Sequence, residues 1–551
     1  MAAKAGHTNM MTDTIIANLP PEALRSTLRG LLGGNAPLTA KFNSIVSDYL
    51  ISTKPTPFPE LFVVTDAGFR TLPALQEQMI RYRCLMGCGK GVESLCEVLN
   101  VVAQLKEFGE NLGWEDAGIM EKLADIGGEI AGIDGDVVQA VTAVHKELIV
   151  DGETRAMEDV EIDIAVNLVK ALRSCQDKLE GGGVSFERAV QSVETLLKSQ
   201  RNEQNIDRSS NPRSTGFKST VSKLEAFKLG DAQVPRIFCG LWQFSSPAWG
   251  TATKEKIHAD FRKHVDAGLI AYDMADHYGD AEATFGGFRS SQADSASIFC
   301  ATKWCVFNHI QVSKDLVDSS INERLSAINA TEVELLQFHW QDYDDHQYVE
   351  AAKLIEANPH VRNLGLCNFD TVHMNEMLDS GMKVVSNQVQ FSLIDLRPTF
   401  LMAESCRKHG VKLLTYGSLC GGFLAEKWFG KSMPGLFDKD MTPSHRKYLE
   451  MITIWGGWPL FQELLAVLRA LGQKYKVTVS NVAVRWILDH DFVGAVIVGS
   501  RMGISEHIEE NLKVFSFGLE KDDQELIGQV LERSNAKEVF EAMGDCGAEY
   551  R

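Results

Sequence analysis

The run Ala271-Tyr-Asp-Met-Ala-Asp-His-Tyr-Gly279 sets an acid, Asp273, and a phenol, Tyr278, five residues apart behind an apolar stretch. The residues leading into it, Gly268-Leu-Ile-Ala-Tyr272, read as a buried strand. Asp, His and Tyr at a strand end, followed by Gly, point to chemistry rather than to a plain connector. Two further strand ends carry ionisable groups. Lys303 closes Ile298-Phe-Cys-Ala-Thr-Lys303, and His339 closes Leu335-Leu-Gln-Phe-His339. A charged end on a buried strand demands a partner or a task. Each residue also has a structural alternative: a hydrogen-bonded strand-end histidine, or a lysine that snorkels to solvent.

The elements that must position these groups begin near residue 225. Short β-like runs alternate there with amphipathic segments such as Val312 to Ile328 and Val349 to Asn358. The candidate strands are Leu269–Asp273, Ile298–Trp304, Val333–Trp340, Val361–Asn368, Val384–Phe391, Val411–Tyr416 and Gly494–Gly499. Alternation of this kind predicts parallel strands joined by crossover helices. The pattern shows no eighth strand, so a doubly wound sheet and a closed barrel both stay open. In a barrel, the carboxyl ends of different strands would gather Asp273, Tyr278, Lys303 and His339 at one face.

The first 200 residues read instead as helices with one apolar face each. The stripes are Leu95, Leu99, Val102; Val137, Val141, Val144, Leu148; Ile164, Leu168, Leu172; and Phe186, Val190, Val193, Leu197. A helix is also expected from Pro20-Pro21 to Gly33-Gly34, and a short strand at Leu61–Val64. Cys84-Leu-Met-Gly-Cys-Gly-Lys-Gly91 resembles a phosphate loop only loosely, with Gly91 where a magnesium-binding Ser or Thr belongs. Its single cysteine pair is equally weak as a zinc site, and no metal is expected. Residues 201–224 are polar and rich in Ser, Asn and Arg, the composition of a linker. The expected division is a helical domain at 1–200, a linker at 201–224 and an α/β domain at 225–551.

Composition narrows the class. A formal net charge of −19 argues against a nucleic-acid surface and against adhesion to anionic membranes. Eleven scattered cysteines, several in strand-like runs, fit reduced, cytoplasmic usage. No apolar run is long enough to span a bilayer, and the N-terminus has no signal-peptide core. The segment Phe429 to Trp458, with Pro434, Gly435, Gly456 and Gly457, is a candidate lid.

From about Val234 to Lys537 the chain resembles the aldo-keto reductase family. The matching pieces, in order, are Gly240-Leu-Trp242-Gln; Asp273-Met-Ala-Asp-His-Tyr278-Gly; Ala301-Thr-Lys303-Trp; Leu336-Gln-Phe-His339-Trp; Gly365-Leu-Cys-Asn368-Phe; Asn387-Gln388-Val; Tyr416-Gly-Ser-Leu419; and Gly499-Ser-Arg501 through Glu510-Asn511-Leu. The resemblance implies a (β/α)8 TIM barrel preceded by the mainly α-helical N-terminal domain. It implies reduction of an aldehyde, ketone or sugar-like carbonyl by NADPH, in preference to NADH. Tyr278 would be the proton donor, Lys303 and Asp273 its electrostatic support, and His339 the group that fixes the substrate oxygen. An unperturbed phenol has a pKa of about 10, and one ammonium about 4 Å away at an effective dielectric near 20 is worth roughly 4 kcal/mol. Lys303 is thus expected to lower the phenol by two to three units.

By the same resemblance, Asn368 and Gln388 hold the nicotinamide carboxamide and Tyr416 stacks on the ring. Gly417, Ser418, Leu419, Ser500, Arg501, Glu510 and Asn511 complete the cofactor contacts, Arg501 standing where a base meets the 2′-phosphate. Trp242, Trp304 and Trp340 are the candidate walls of the substrate pocket. The helical domain is left as a module for a protein partner or for self-association. A rival reading keeps the barrel as an NADPH-binding regulatory or scaffold protein with vestigial activity.

Overall fold

The computed structural model describes residues 36–65, 68–112, 127–150, 153–179, 185–200, 224–245, 252–307, 309–435 and 443–550, with the single positions 28 and 31. Nearly all of the expected helix from Pro20 to Gly34 and nearly all of the expected linker lie outside the described residues.

The first domain is built from α1 (Ala36–Ser52), α2 (Pro73–Gly87), α3 (Gly91–Leu112), α4 (Gly127–Glu147), α5 (Asp159–Leu179) and α6 (Glu187–Gln200). The apolar stripes converge as their spacing requires. Leu95 and Val102 of α3, Val137, Val141 and Val144 of α4, Leu168 and Leu172 of α5 and Val193 of α6 share one core, with Phe186 just ahead of α6. Helix α3 packs on α2, α4 and α5, and α6 packs on α4 and α5. Gly91, the end of the phosphate-loop look-alike, opens α3 where a Cβ would strike the backbone of Ala143 and Val144. That glycine is explained by close helix packing. The expected strand near Leu61 is one arm of a hairpin, Phe62–Thr65 against Gly68–Thr71.

The second domain is a closed parallel barrel, which excludes the doubly wound alternative. Its strands are β1 (Ile237–Gly240), β2 (Ala271–Asp273), β3 (Phe299–Val306), β4 (Leu335–Trp340), β5 (Leu364–Cys367), β6 (Val384–Gln390), β7 (Lys412–Tyr416) and β8 (Val493–Gly499). The eighth strand absent from the sequence pattern is β1. It is set directly behind Pro235 and Arg236, a proline and a charge where the run would begin. A hairpin, Ala226–Leu229 with Ala232–Pro235, precedes it. The hairpin's Leu229, Ala232 and Val234 cluster with Phe238, Phe299, Leu335 and Leu414, which fill the barrel's amino-terminal end.

The helical layer comprises α7 (Lys254–Asp266), α8 (Ala281–Ser290), α9 (Lys314–Ala327), α10 (Gln347–Ala357), α11 (Thr371–Asp379), α12 (Met402–His409), α13 (Pro443–Trp455), α14 (Gly457–Tyr475) and α15 (Val479–Leu488). Over residues 443–458 the candidate lid is helical, formed by α13 and the start of α14. Its Leu449, Ile452, Trp455 and Trp458 join Phe461, Leu464 and Leu468 in a buried cluster, while Tyr448 reaches Gln390 at 3.3 Å. Among the described residues no single helix is long and apolar enough to cross a membrane.

Candidate active site

Strand parity decides which side chains enter the barrel. Side chains alternate between two faces, so residues two apart share a face. In β3, Phe299, Ala301 and Lys303 face inward; in β4, Leu335, Gln337 and His339 do the same. Trp304 and Trp340 therefore face outward. Trp304 packs on Phe338, and Trp340 packs on Phe338 and Tyr348 while its Nε1 donates to the Asp342 carbonyl at 2.6 Å. The structure thus removes Trp304 and Trp340 from the expected pocket wall. Trp242 is 42% exposed in the turn after β1.

The inward groups form a buried polar cluster at the carboxyl ends of the strands. Lys303 Nζ donates to Asp273 Oδ2 at 2.7 Å and to the Met274 carbonyl at 2.9 Å. The other carboxylate oxygen, Asp273 Oδ1, accepts from Gln388 Nε2 at 2.6 Å and Gln337 Nε2 at 2.8 Å. Gln337 was not anticipated, although its parity with His339 places it inside. Lys303 Nζ stands 4.8 Å from the centroid of the Tyr278 ring. Burial alone would lower the Lys303 ammonium, but the Asp273 carboxylate and the Tyr278 phenol hold it above its ordinary value. Lys303 is therefore charged at neutral pH.

The expected lowering of the Tyr278 phenol is not what the geometry yields. Burial pushes the phenol up, and the Lys303 ammonium only partly offsets this because Asp273 opposes it. A lysine already paired with a carboxylate presents a dipole to the phenol rather than a bare charge. Tyr278 is accordingly a neutral O–H donor in this state.

His339 Nδ1 lies 3.0 Å from the Cys367 carbonyl, which can only accept, so Nδ1 carries a proton. Its Nε2 lies 3.2 Å from the Gln341 side chain. A neutral ring that donates from Nδ1 accepts at Nε2; donating from both requires the imidazolium. Asn368 follows β5 at φ 58°, a left-handed backbone that asparagine tolerates, and its N–H donates to the Gln388 carbonyl at 2.8 Å. Asn368 Oδ1 accepts from the Tyr416 hydroxyl at 3.0 Å, so Asn368, Gln388 and Tyr416 are brought together.

Gly417 takes φ 69°, and a Cβ there would strike the Tyr448 hydroxyl. Ser418 is buried, and Leu419 packs at the edge of the core behind it. Ser500 and Arg501 leave β8, where Ser500 N–H donates to the Gly240 carbonyl at 2.9 Å and Arg501 is exposed. Glu510 and Asn511 lie on the helix that follows. Glu510 is anchored to α15, its carbonyl accepting from Asn481 at 2.7 Å and its carboxylate from Thr478 at 3.3 Å, while Asn511 N–H donates to the His507 carbonyl at 2.9 Å.

Asp276 and His277, which had no role in the sequence, are structural. Asp276 accepts from His277 Nδ1 at 3.0 Å and from the Cys305 N–H at 2.9 Å, with Arg324 at 3.7 Å. Burial holds the Cys305 thiol protonated. The ligand atoms of Asp276, His277 and Cys305 lie within 4.8 Å of one another, with the Arg324 guanidinium beside them.

The carboxyl terminus is the part of the site that no local sequence signal marked. The Tyr550 hydroxyl lies 2.8 Å from that of Tyr416, and its ring packs edge-on to His339 at 6.3 Å. The segment is clamped by Arg397, 1% exposed, which reaches Glu549 at 2.7 and 2.8 Å and Asp395 at 2.8 and 2.9 Å.

A sequence model described as the aldo/keto reductase family matches residues 236–532. Methylglyoxal reductase DkgA of Escherichia coli O157:H7 is 24% identical over 317 residues, covering 57% of this chain and 94% of that protein. Flagellar radial spoke protein 5 of Chlamydomonas reinhardtii is 30% identical over 133 residues, covering 23% of this chain and 24% of that protein. Among solved structures, the glycerol dehydrogenase AKR11B4 from Gluconobacter oxydans aligns with a TM-score of 0.48 at 20% identity, covering 56% of this chain and 96% of that one.

Proposed function

Because the chain belongs to the aldo/keto reductase family of NAD(P)H-dependent oxidoreductases, we propose that it reduces an aldehyde, ketone or sugar-like carbonyl to the alcohol, with Tyr278 as proton donor and NADPH as preferred cofactor. The observation that carries this reading is the buried Lys303 ammonium, 2.7 Å from Asp273 and 4.8 Å from the Tyr278 ring. A carbonyl that accepts hydride becomes an alkoxide, and an O–H donor must meet it. Burial keeps the Tyr278 proton in place until that charge develops. Lys303 then stabilises the phenolate left behind, while Gln337 and Gln388 satisfy Asp273 and keep the pair in register.

The donor set fits a nicotinamide dinucleotide. The Asn368 and Gln388 amides suit a carboxamide, the Tyr416 ring offers an aromatic face, and the exposed Arg501 guanidinium with the Ser500 hydroxyl suits the 2′-phosphate that distinguishes NADPH. When bound, a reduced nicotinamide supplies the hydride, which no side chain can. Gly417, Ser418 and Leu419, which follow the Tyr416 strand end, and Glu510 and Asn511, held against α15, shape the rest of that groove. His339 donates from Nδ1 to the Cys367 carbonyl and has Nε2 3.2 Å from Gln341 Oε1. As imidazolium it donates from Nε2 to the substrate oxygen.

The bacterial relative's name puts methylglyoxal first among the carbonyls to try. Purified protein screened with NADPH and NADH against methylglyoxal, aldehydes and sugars should consume NADPH faster, measured at the nicotinamide absorbance band. A protein that binds NADPH yet reduces no carbonyl would favour the regulatory reading. Faster NADH turnover would remove the role given to Arg501.

A further inference from the structure

The helical domain meets the barrel at the loop that carries Tyr278. Arg188 of α6 forks onto Asp280, its Nε donating to Oδ2 at 2.6 Å and its Nη2 to Oδ1. The same guanidinium lies 4.0 Å from Asp134 of α4, whose carboxylate also accepts the Ala189 N–H at 2.9 Å. All three side chains are nearly buried, at 12% exposed or less. Asp280 sits two residues past Tyr278, and the intervening backbone is a series of tight turns. Tyr278 N–H donates to the Ala275 carbonyl at 3.1 Å, Ala281 N–H to the Tyr278 carbonyl at 3.2 Å, and Thr284 N–H to the Asp280 carbonyl at 2.8 Å.

Helix α4 closes on the same loop from a second direction. Gly279 has φ 61°, and the space a Cβ would take is already filled by Gln139 Nε2 at 2.8 Å and the Phe244 carbonyl at 2.7 Å. Gln139 Nε2 donates to that carbonyl at 3.2 Å, and the Arg188 guanidinium lies 5.3 Å from the centroid of the Phe244 ring. Further along α4, Lys146 lies 5.6 Å from the centroid of the Phe307 ring, which packs on His277 and His339 at 5.2 and 5.5 Å. A fold that needed the first domain only as an external module would not set a nearly buried ion pair on the residue beside Tyr278-Gly279.

We propose that the helical domain completes the reductase site, with Arg188 as a positioning residue that holds the Tyr278 loop through Asp280 while Gln139 seats against Gly279. The proposal rests on Tyr278 as proton donor. A bidentate guanidinium fixes the carboxylate in angle as well as distance, and a small misplacement of a reacting group costs on the order of 100-fold in rate.

The test uses the full chain. Arg188→Met, Arg188→Lys, Asp280→Asn and the Arg188→Met/Asp280→Asn double variant are compared for kcat, KM, NADPH affinity by fluorescence quenching, and hydrogen exchange over residues 274–284. We expect Arg188→Met and Asp280→Asn each to lose roughly 10- to 100-fold in kcat, with NADPH affinity unchanged and exchange raised over the loop. The double variant should lose little more than either single one, and Arg188→Lys should recover part of the loss. Wild-type kcat and exchange in Arg188→Met, in an enzyme that Tyr278→Phe inactivates, would overturn the proposal. So would losses in the single variants that simply multiply in the double. Full turnover in Tyr278→Phe would instead sink the proton-donor reading, and unchanged loop exchange in Arg188→Met would then still refute the positioning role.

Discussion

Replacing Lys303 by Met isolates the charge that the proposed mechanism needs. At the observed 4.8 Å from ammonium to phenol ring, Coulomb attraction at an effective dielectric near 20 is worth about 3.5 kcal/mol. Divided by the 1.36 kcal/mol of one pKa unit, this corresponds to roughly 2.5 units on the Tyr278 phenol. Alcohol oxidation needs the phenolate as base, so the rising limb of its pH–rate profile should move up by about 2.5 units, and the rate at pH 7 should fall by about 300-fold. Asp273 would keep its amide donors Gln337 and Gln388, so its carboxylate is not orphaned. Removing one member of a buried pair still costs about 3–5 kcal/mol of stability, so thermal unfolding and NADPH binding must show that the variant is folded and loaded. Asp273→Asn/Lys303→Met, which removes both charges, should lie between wild type and Lys303→Met. An oxidation profile that stays at the wild-type pH in folded, NADPH-binding Lys303→Met would refute the electrostatic reasoning.

Two further perturbations probe the structure around the site. Arg397→Met leaves the fully buried Asp395 with Gln390 as its remaining side-chain donor, at 2.7 Å. We predict about 3–5 kcal/mol of lost stability in the barrel's unfolding transition, and less for Glu549→Gln, which leaves the Arg397–Asp395 pair intact; equal losses would contradict this. Burial pushes the Asp134 carboxyl up from its ordinary value to about 6, with Arg188 only partly opposing. A carboxyl that is harder to ionise folded than unfolded stabilises the fold while protonated, and that contribution disappears as pH rises from about 4 to about 6. Over that window wild type should lose about 3 kcal/mol relative to Asp134→Asn, read from denaturation curves of the two proteins; a difference independent of pH would contradict the assignment.

Much of the architecture was legible because it rests on periodicity. The helical stripes needed only three-and-four spacing, and seven strands stood out as apolar runs. What was missed has identifiable physical causes. Strand β1 lies directly behind Pro235 and Arg236, a proline and a charge that mask where it begins. Trp304 and Trp340 were assigned to the pocket by chemical type, whereas the same alternation that turns Lys303 and His339 inward turns these tryptophans outward; the information lay in the sequence unused. The glycines and proline around Phe429 to Trp458 suggested a lid, and the spacing of Tyr448, Leu449, Ile452 and Trp455, a buried helical face, went unread. The raised phenol of Tyr278 depends on depth of burial and on Asp273 neutralising Lys303, neither of which spacing reveals. Tyr550, Arg188 and Asp280 come together only through tertiary folding and carried no local signal.

The central claim is that Tyr278 gives a proton to a carbonyl while a nicotinamide gives the hydride. Single-turnover reduction of methylglyoxal, or of the best aldehyde from the screen, by NADPH-loaded wild type and Tyr278→Phe tests it most directly, with NADPH affinity measured on both. The account predicts equal affinity, rapid NADPH oxidation in wild type and a loss of at least about 100-fold in Tyr278→Phe. Equal rates in the two proteins, with NADPH bound to both, would contradict it.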